Sequence, residues 1–196
     1  MEDLSMKRVI VITGATGTGK TTVSQYLNSH YDIPRIITHT TRPKRPGEVD
    51  GVDYYFETAE SFPKNHYLED VMYASYQYGS SYEGLDRAFE KADLVSIVLD
   101  TKGAQTYAEQ LGEKAVVLFL TVGKSDILKD RLTSRGDETE MVNHRIRSKE
   151  YKRDLELPVA LTGRATVIQN DDWLKTQRAL DAFVSALRIQ QQSVES

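Results

Sequence analysis

The 196-residue chain contains no cysteine. Disulfides, cysteine nucleophiles and thiolate metal sites are excluded, and the composition suits a reducing compartment. No apolar run approaches the roughly 20 residues that a membrane-spanning helix needs. The start, Met1-Glu2-Asp3-Leu4-Ser5, has neither the basic nor the apolar region of a signal peptide. A cytoplasmic protein without a membrane partner is expected. Surplus positive charge is missing too: 25 Lys and Arg stand against 29 Asp and Glu, a formal net charge of −4. That points away from nonspecific nucleic-acid binding. There is no internal repeat, heptad array or low-complexity segment, and the four histidines show no metal-ligand spacing. What remains, 39% hydrophobic and 28% charged, is ordinary for a globular protein. The length fits one medium domain with ample residues for a core. Gln190 to Ser196 reads as a frayed tail.

Strand-like and helix-like patterns alternate, which predicts an α/β fold with a largely parallel sheet. Val9-Ile10-Val11-Ile12 is a β-branched run suited to a strand buried on both faces. Thr21 to Ser29 follows as a helix with Val23, Tyr26 and Leu27 on one side. Leu94 to Leu99 and Ala115 to Leu120 are further buried strands, and Thr166-Val167-Ile168 is a short last one. Helices are expected over Tyr82 to Lys91, Gln105 to Leu111, Lys124 to Ser134, Glu138 to Lys152 and Trp173 to Leu187. Between them, Thr38 to Ser80 breaks the rhythm. There Ile36 to Thr41, Asp53 to Phe56 and Tyr67 to Ser75 read as extended, Thr58 as the cap of a brief helix, and Tyr76 to Ser80 as a turn. Insertions of this kind often hold a second substrate.

Between the first strand and helix lies Gly14-Ala15-Thr16-Gly17-Thr18-Gly19-Lys20-Thr21, which fits the phosphate-loop pattern G-x-x-x-x-G-K-[ST] at every fixed position. The glycines let the backbone curl so that successive N–H groups face an anion, aided by the dipole of the helix that follows. Lys20 is placed to reach the outer phosphates of a nucleotide such as ATP, with Thr22 beside it, and the Thr21 hydroxyl to ligate Mg²⁺.

The insertion opens with Thr38-His39-Thr40-Thr41-Arg42-Pro43-Lys44-Arg45-Pro46-Gly47-Glu48, then runs through Gly51 and Asp53-Tyr54-Tyr55-Phe56. Arg42 and Arg45 suit bidentate clamping of a second phosphate, with Tyr54 as a further donor. This stretch resembles the signature of the guanylate kinase family, T-T-R-x-x-R-x-G-E-x-x-G-x-D-Y-x-F, and the likeness continues through Asp172. It implies a P-loop NTPase-type three-layer fold: residues 1–37 and 82–196 as core, with a helical lid at about 131–147. Residues 38–81 become an inserted GMP-binding region with a small mixed sheet. The implied reaction transfers the γ-phosphoryl group of ATP to GMP, with dGMP as a further acceptor, giving the diphosphate. Monomer and homodimer are both compatible with it.

The same resemblance assigns residues. Arg42, Arg45, Tyr54 and Tyr78 match positions that hold the GMP phosphate. Glu69, Ser80 and Asp100 match groups that read guanine, with Gly79 in the Y-G-[ST] turn and Thr38 where the family has serine. Arg131, Arg135 and Arg145 match lid arginines that close on the transferring phosphate, and Asn170 falls near the adenine. Asp100 also ends a strand as a Walker-B aspartate does, which would place it near the water shell of Mg²⁺. The chemistry agrees: guanine presents N1–H and N2–H₂ donors side by side, and two carboxylates accept them where adenine offers a bare N1.

Departures from the family pattern are local. Asp70 stands in place of an aromatic, Tyr76-Gln77 in place of Gly-Asn, and residues 157–164 lack the usual Tyr-Asp pair. The span from Arg135 to Arg145 is one residue short. Two other readings stay open at this level: a divergent kinase acting on another phosphate acceptor such as ribose bisphosphate, and a non-catalytic guanylate-kinase-like binding module.

Overall fold

The computed structural model describes residues 7–73, 75–123, 127–128, 131, 143 and 146–192. Its centre is the strand predicted first. β1 (Arg8–Thr13) is buried at every position and lies between β6 (Leu94–Val98) and β7 (Ala115–Thr121), with β8 (Ala165–Gln169) beyond β7. All of these pairings are parallel. Residues 34–36 add a partial strand outside β6, where Ile36 N–H donates to the Ser96 carbonyl and Ser96 N–H to that of Pro34.

Side-chain alternation along β1 divides the core into two halves. Val9 and Val11 pack with residues of α2 (Tyr82–Phe89) and α3 (Thr101–Leu111), among them Leu85, Ala104 and Tyr107. Ile10 and Ile12 face the other way, onto Val23 and Leu27 of α1 (Lys20–Tyr31) and Leu180 and Val184 of α5 (Trp173–Gln192). The result is a three-layer α/β sandwich. From the end of β1 the chain crosses to residues 34–36 on the far side of β6, while β7 lies on β1's other flank. Strand order therefore reverses at β1, and the crevice at its carboxyl end is where ligands bind in such sheets.

A second sheet, ordered β3-β2-β5-β4, is formed by β2 (His39–Thr40), β3 (Tyr55–Phe56), β4 (Tyr67–Tyr73) and β5 (Tyr76–Ser81). β2 runs parallel to β3 and antiparallel to β5, and β4 is antiparallel to β5. The turn expected at Tyr76 to Ser80 is instead strand β5. Alternating aromatic residues suit a pleated ladder, and Tyr78 pairs with Val71 on one side and Thr40 on the other. The register slips between Tyr67 and Glu69, so two steps along β4 match one along β5. This bulge sets Glu69 opposite Ser80.

Other boundaries differ for identifiable reasons. α3 begins at Thr101 rather than Gln105, because the Asp100 side chain accepts from Gly103 N–H and caps it. The predicted tail at Gln190 is helical through Gln192, and Arg8 Nη1 donates to Gln190 Oε1 at 2.8 Å. Thr58 accepts from the N–H groups of Glu60 and Ser61, and only a 3₁₀ turn at Phe62–Lys64 follows. Within the helix expected over Glu138 to Lys152, Ser148 caps a new helix, α4 (Lys149–Asp154), with its hydroxyl accepting from Tyr151 N–H at 3.1 Å. Most of that span before residue 146, and most of Lys124 to Ser134, lie outside the described residues. Among the described residues no helix is long and apolar enough to cross a membrane.

Candidate active site

The phosphate loop is shaped by steric necessity. Gly14 has φ +130°, and a Cβ there would lie 2.2 Å from the Leu120 carbonyl oxygen. A Cβ on Gly19, at φ +96°, would lie 2.4 Å from Asn170 Nδ2. Only glycine satisfies both the space and the left-handed backbone. Lys20 curls over the loop and donates to the carbonyls of Gly14 at 2.6 Å and Ala15 at 2.9 Å. Thr18 Oγ1 donates to the Ala15 carbonyl, closing the loop from inside, while Thr16 is half-buried and Gly17 buried at its crest. Thr21 and Thr22 are exposed in the first turn of α1.

Two predicted residues brace this loop from behind. Asn170 is buried; its Nδ2 donates to the Thr18 carbonyl and its Oδ1 accepts from Thr176 Oγ1, both at 2.8 Å. Both polar atoms of its carboxamide are engaged within the protein. Arg131 donates to the Gly17 carbonyl at 3.3 Å and to the Asn170 carbonyl at 2.8 Å. Arg135 and Arg145 lie outside the described residues.

The mixed sheet carries the second cluster. Arg42 is buried, and its Nη2 forks onto both carboxylate oxygens of Glu48 at 2.7 and 3.0 Å, while Nη1 donates to the Pro43 carbonyl. Its guanidinium lies 5.5 Å from the Tyr54 ring centroid and 5.8 Å from that of Phe56. Glu48 also accepts from Arg45 N–H at 2.8 Å. These bonds, that from Arg42 first, hold its carboxyl below the usual range. Arg45 itself is exposed. Tyr54 and Tyr78 meet edge to face with centroids 6.3 Å apart. Burial, then Tyr78, raises the Tyr54 hydroxyl above its ordinary pKa. Thr38 is half-buried at the entry to β2, its carbonyl accepting from Tyr55 N–H.

Where β4 and β5 approach the start of α3, Glu69, Ser80 and Asp100 come together. Ser80 Oγ lies 3.5 Å from Glu69 Oε1. A Cβ on Gly103 would sit 3.2 Å from Glu69 Oε2 and 3.3 Å from Asp100 Oδ1, so both carboxyls border that glycine. Gly79 is kept bare by the Tyr67 ring, 2.6 Å from where its Cβ would be. A pocket of about 200 Å³ opens here, lined by Glu69, Asp70, Asp100, Lys102, Gly103 and Thr106 among others. Burial, then the negative charges of Asp100 and Asp70, push the Glu69 carboxyl up to about 7.

A glycine-shaped loop at the end of β1 and a separate pocket bordered by Glu69, Asp70 and Asp100 suit an enzyme that takes two substrates. The family model for guanylate kinase matches residues 6–187. The chain belongs to the guanylate kinase family. It is 33% identical over 186 residues to the guanylate kinase of Neisseria meningitidis serogroup A, covering 92% of this chain and 88% of that one. With the guanylate kinase of Oceanobacillus iheyensis it shares 34% over 186 residues, 92% and 86% of the two chains. The crystal structure of guanylate kinase from Anaplasma phagocytophilum superposes with a TM-score of 0.61 at 22% identity, over 95% of this chain and 87% of that one. At that identity the likeness speaks for the fold.

Membership in the guanylate kinase family makes the chain a nucleoside monophosphate kinase, and it directs attention to residues that its signatures do not contain. His39 Nδ1 meets Glu57 Oε1 at 2.7 Å and its Nε2 meets Ser81 Oγ at 2.8 Å. Facing a carboxylate, Nδ1 carries the proton, and Nε2 accepts from the serine. This is the bonding order of an activated nucleophile, yet Ser81 has no exposed surface, and its Oγ also accepts from Gly84 N–H at 3.0 Å. The relay is a strut joining β2, the Glu57 loop and the cap of α2. The signal that could have found it is a serine one residue ahead of the helix expected from Tyr82, a cap position. Arg153 and Asp154, on α4, contact Asp100 and Thr101. In the sequence they fall just past the end of the helix expected over Glu138 to Lys152.

Proposed function

We propose that the chain phosphorylates GMP, and dGMP with it, at the expense of ATP, giving ADP and the diphosphate in purine nucleotide metabolism. The observation that carries this reading is the convergence of Glu69 and Asp100 on one pocket, with the buried Ser80 hydroxyl behind Glu69. Ionised, the two carboxylates accept the N1–H and N2–H₂ donors of guanine. Adenine leaves them unpaired, a mismatch worth roughly 10⁴-fold in discrimination where the groups are buried.

Residues 38–81 act as the acceptor module and residues 1–37 with 82–196 as the donor core, the lid at about 131–147 closing between them. The Gly14–Thr21 loop offers backbone N–H groups and the N-terminus of α1 to the β- and γ-phosphates. Lys20 exchanges its hold on the Gly14 and Ala15 carbonyls for phosphate oxygens. The exposed Thr21 hydroxyl is suited to hold Mg²⁺, which supplies charge neutralisation across the phosphates. Asn170 acts behind the loop. Arg42, Arg45, Tyr54 and Tyr78 fix the acceptor phosphate. No general base is required, because a phosphomonoester has a second pKa of about 6 and is already anionic at pH 7. The task is to bring two polyanions into line, and cations perform it. Arg131 joins them from the loop side, with Arg135 and Arg145 assigned to the lid.

A coupled assay with ATP and GMP, dGMP, AMP, UMP or ribose bisphosphate tests the reading. Turnover confined to GMP and dGMP is expected. Preference for ribose bisphosphate would overturn the acceptor assignment. No turnover on any acceptor by folded protein would favour a binding module.

A further inference from the structure

Asp100 is asked to do two things. Its Oδ1 caps α3 by accepting from Gly103 N–H at 2.7 Å, which fixes the carboxyl at the helix start. Its Oδ2 accepts from Arg153 Nη2, also at 2.7 Å. Arg153 is itself held, since its Nε donates to Asp154 Oδ1 at 2.9 Å. That same Asp154 oxygen accepts from the hydroxyl of Thr101 at 2.5 Å and faces its backbone N–H at 3.3 Å. Asp154 is buried, and Thr101 has no exposed surface. Two consecutive residues of α4 therefore grip two consecutive residues at the β6–α3 junction. Asp154 also lines a cavity of about 120 Å³ that touches Ala15 and Thr18 of the phosphate loop. α4 thus stands between the donor loop and the base pocket.

We infer that Arg153 is a positioning residue for the acceptor base, holding the Asp100 carboxylate aimed beside Glu69, with Asp154 as its anchor. The inference rests on the reading of Glu69 and Asp100 as the groups that accept from guanine. The physical need is specific. Two carboxylates border Gly103, and two like charges so close discourage each other's ionisation. A protonated carboxyl keeps one accepting oxygen, a weaker acceptor than a carboxylate, and adds an O–H donor that opposes guanine's N–H groups. The groups that face Glu69 are Asp70 on its own strand, Ser80 on β5, Asp100 and Lys102 at the start of α3, and Tyr107 further along α3. Arg153 faces this set through Asp100 and offsets its charge by a hydrogen-bonded pair, which solvent at an exposed lysine does not match.

The test compares wild type, Arg153→Met, Arg153→Lys and Asp154→Asn for KM of GMP, KM of ATP, kcat, melting temperature and the pH profile of kcat/KM for GMP. R153M should raise the KM for GMP about tenfold, the scale of a lost hydrogen bond to a charged group, with the KM for ATP within about twofold of wild type. The acidic limb of its pH profile should move to higher pH, because Asp100 then repels the Glu69 carboxylate without an offset. R153K should recover part of both effects, and D154N should fall between wild type and R153M. If R153M keeps the wild-type KM for GMP and the wild-type acidic limb, the inference is overturned. It is equally overturned if both KM values and the melting temperature fall apart together while the limb stays in place, since that is general loss of structure. If wild type itself does not phosphorylate GMP, the functional reading fails first, and the two failures are thereby distinguished.

Discussion

The loop at the end of β1 and the mixed sheet, the donor and acceptor sites of the proposed reaction, are built from opposite materials. In the loop the working surface is backbone. Gly14 and Gly19 adopt conformations no other residue tolerates there, with Leu120 and Asn170 filling the space where side chains would be. In the acceptor region the working groups are side chains already paired with one another: Arg42 with Glu48, Glu69 with Ser80, Asp100 with Arg153. A site made of backbone has few partial states, so a change there is decisive. A site made of balanced charges can be detuned by degrees.

The largest effect is expected where the loop depends on one side chain. Lys20→Met removes the only loop side chain able to carry charge to the outer phosphates. Turnover should fall by about a thousandfold or more, the scale seen when a transition-state charge loses its partner. GMP binding, measured by calorimetry, should stay within about twofold, because the residues assigned to GMP lie on the mixed sheet and at Asp100. Substantial residual GDP formation would remove Lys20 from its role. A parallel loss of GMP binding would break the separation of the two regions itself.

That contrast also explains what could be read from the sequence. The loop was legible because steric exclusion leaves a spaced pattern of glycines, and β1 because a strand buried on both faces has to be continuously apolar. In the β2–β5 region the extended segments at β2, β3 and β4 were legible one by one, but their pairing and strand β5 were not. Its sheet pairs residues far apart in sequence, His39 with Gly79 and Tyr67 with Ser81, and no local periodicity records such a register. The bulge at Leu68 that sets Glu69 opposite Ser80 is a product of that pairing. So is the His39–Glu57–Ser81 strut. Arg153 was hidden differently: it falls one residue past the helix expected over Glu138 to Lys152, an arginine there has a solvated surface as its ordinary explanation, and only the packing of α4 on the β6–α3 junction gives it a carboxylate.

A middle-sized effect should follow Glu69→Gln, which keeps shape and removes charge. The amide oxygen can accept one of guanine's donors, while its NH₂ opposes the other. A loss of about 10² in kcat/KM for GMP is expected, with a smaller loss for AMP, so that discrimination narrows. The wild-type profile should fall as pH drops through about 7, where the Glu69 carboxyl takes up a proton. The variant should lack this limb. Stability should move in the other direction. The folded-state pKa lies above that of a free carboxyl, so the folded protein holds the proton more tightly, and wild type loses stability as pH rises from about 4.5 toward 7. E69Q should therefore melt higher than wild type at pH 8 and close to it at pH 5. An unchanged acidic limb in the variant would show that some other group sets it.

The smallest effect should come from Glu48→Gln, and it probes whether pairing in the acceptor region organises or obstructs. Glu48 takes two bonds from Arg42 and one from the Arg45 backbone, so it ties together both arginines assigned to the phosphate. A neutral amide keeps an oxygen for one donor and loses the fork. If Glu48 is an organiser, the KM for GMP should rise about threefold with kcat unchanged, and the rise should shrink at high salt as the remaining surface charges are screened. If Glu48 instead competes with the phosphate for Arg42, the same substitution should lower the KM. The first outcome is expected, because Arg42 is buried against Tyr54 and Phe56. A buried guanidinium released from its carboxylate relaxes toward solvent rather than waiting in place. A lowered KM would mean that the rings alone hold Arg42, and that the carboxylate restrains affinity rather than supporting it.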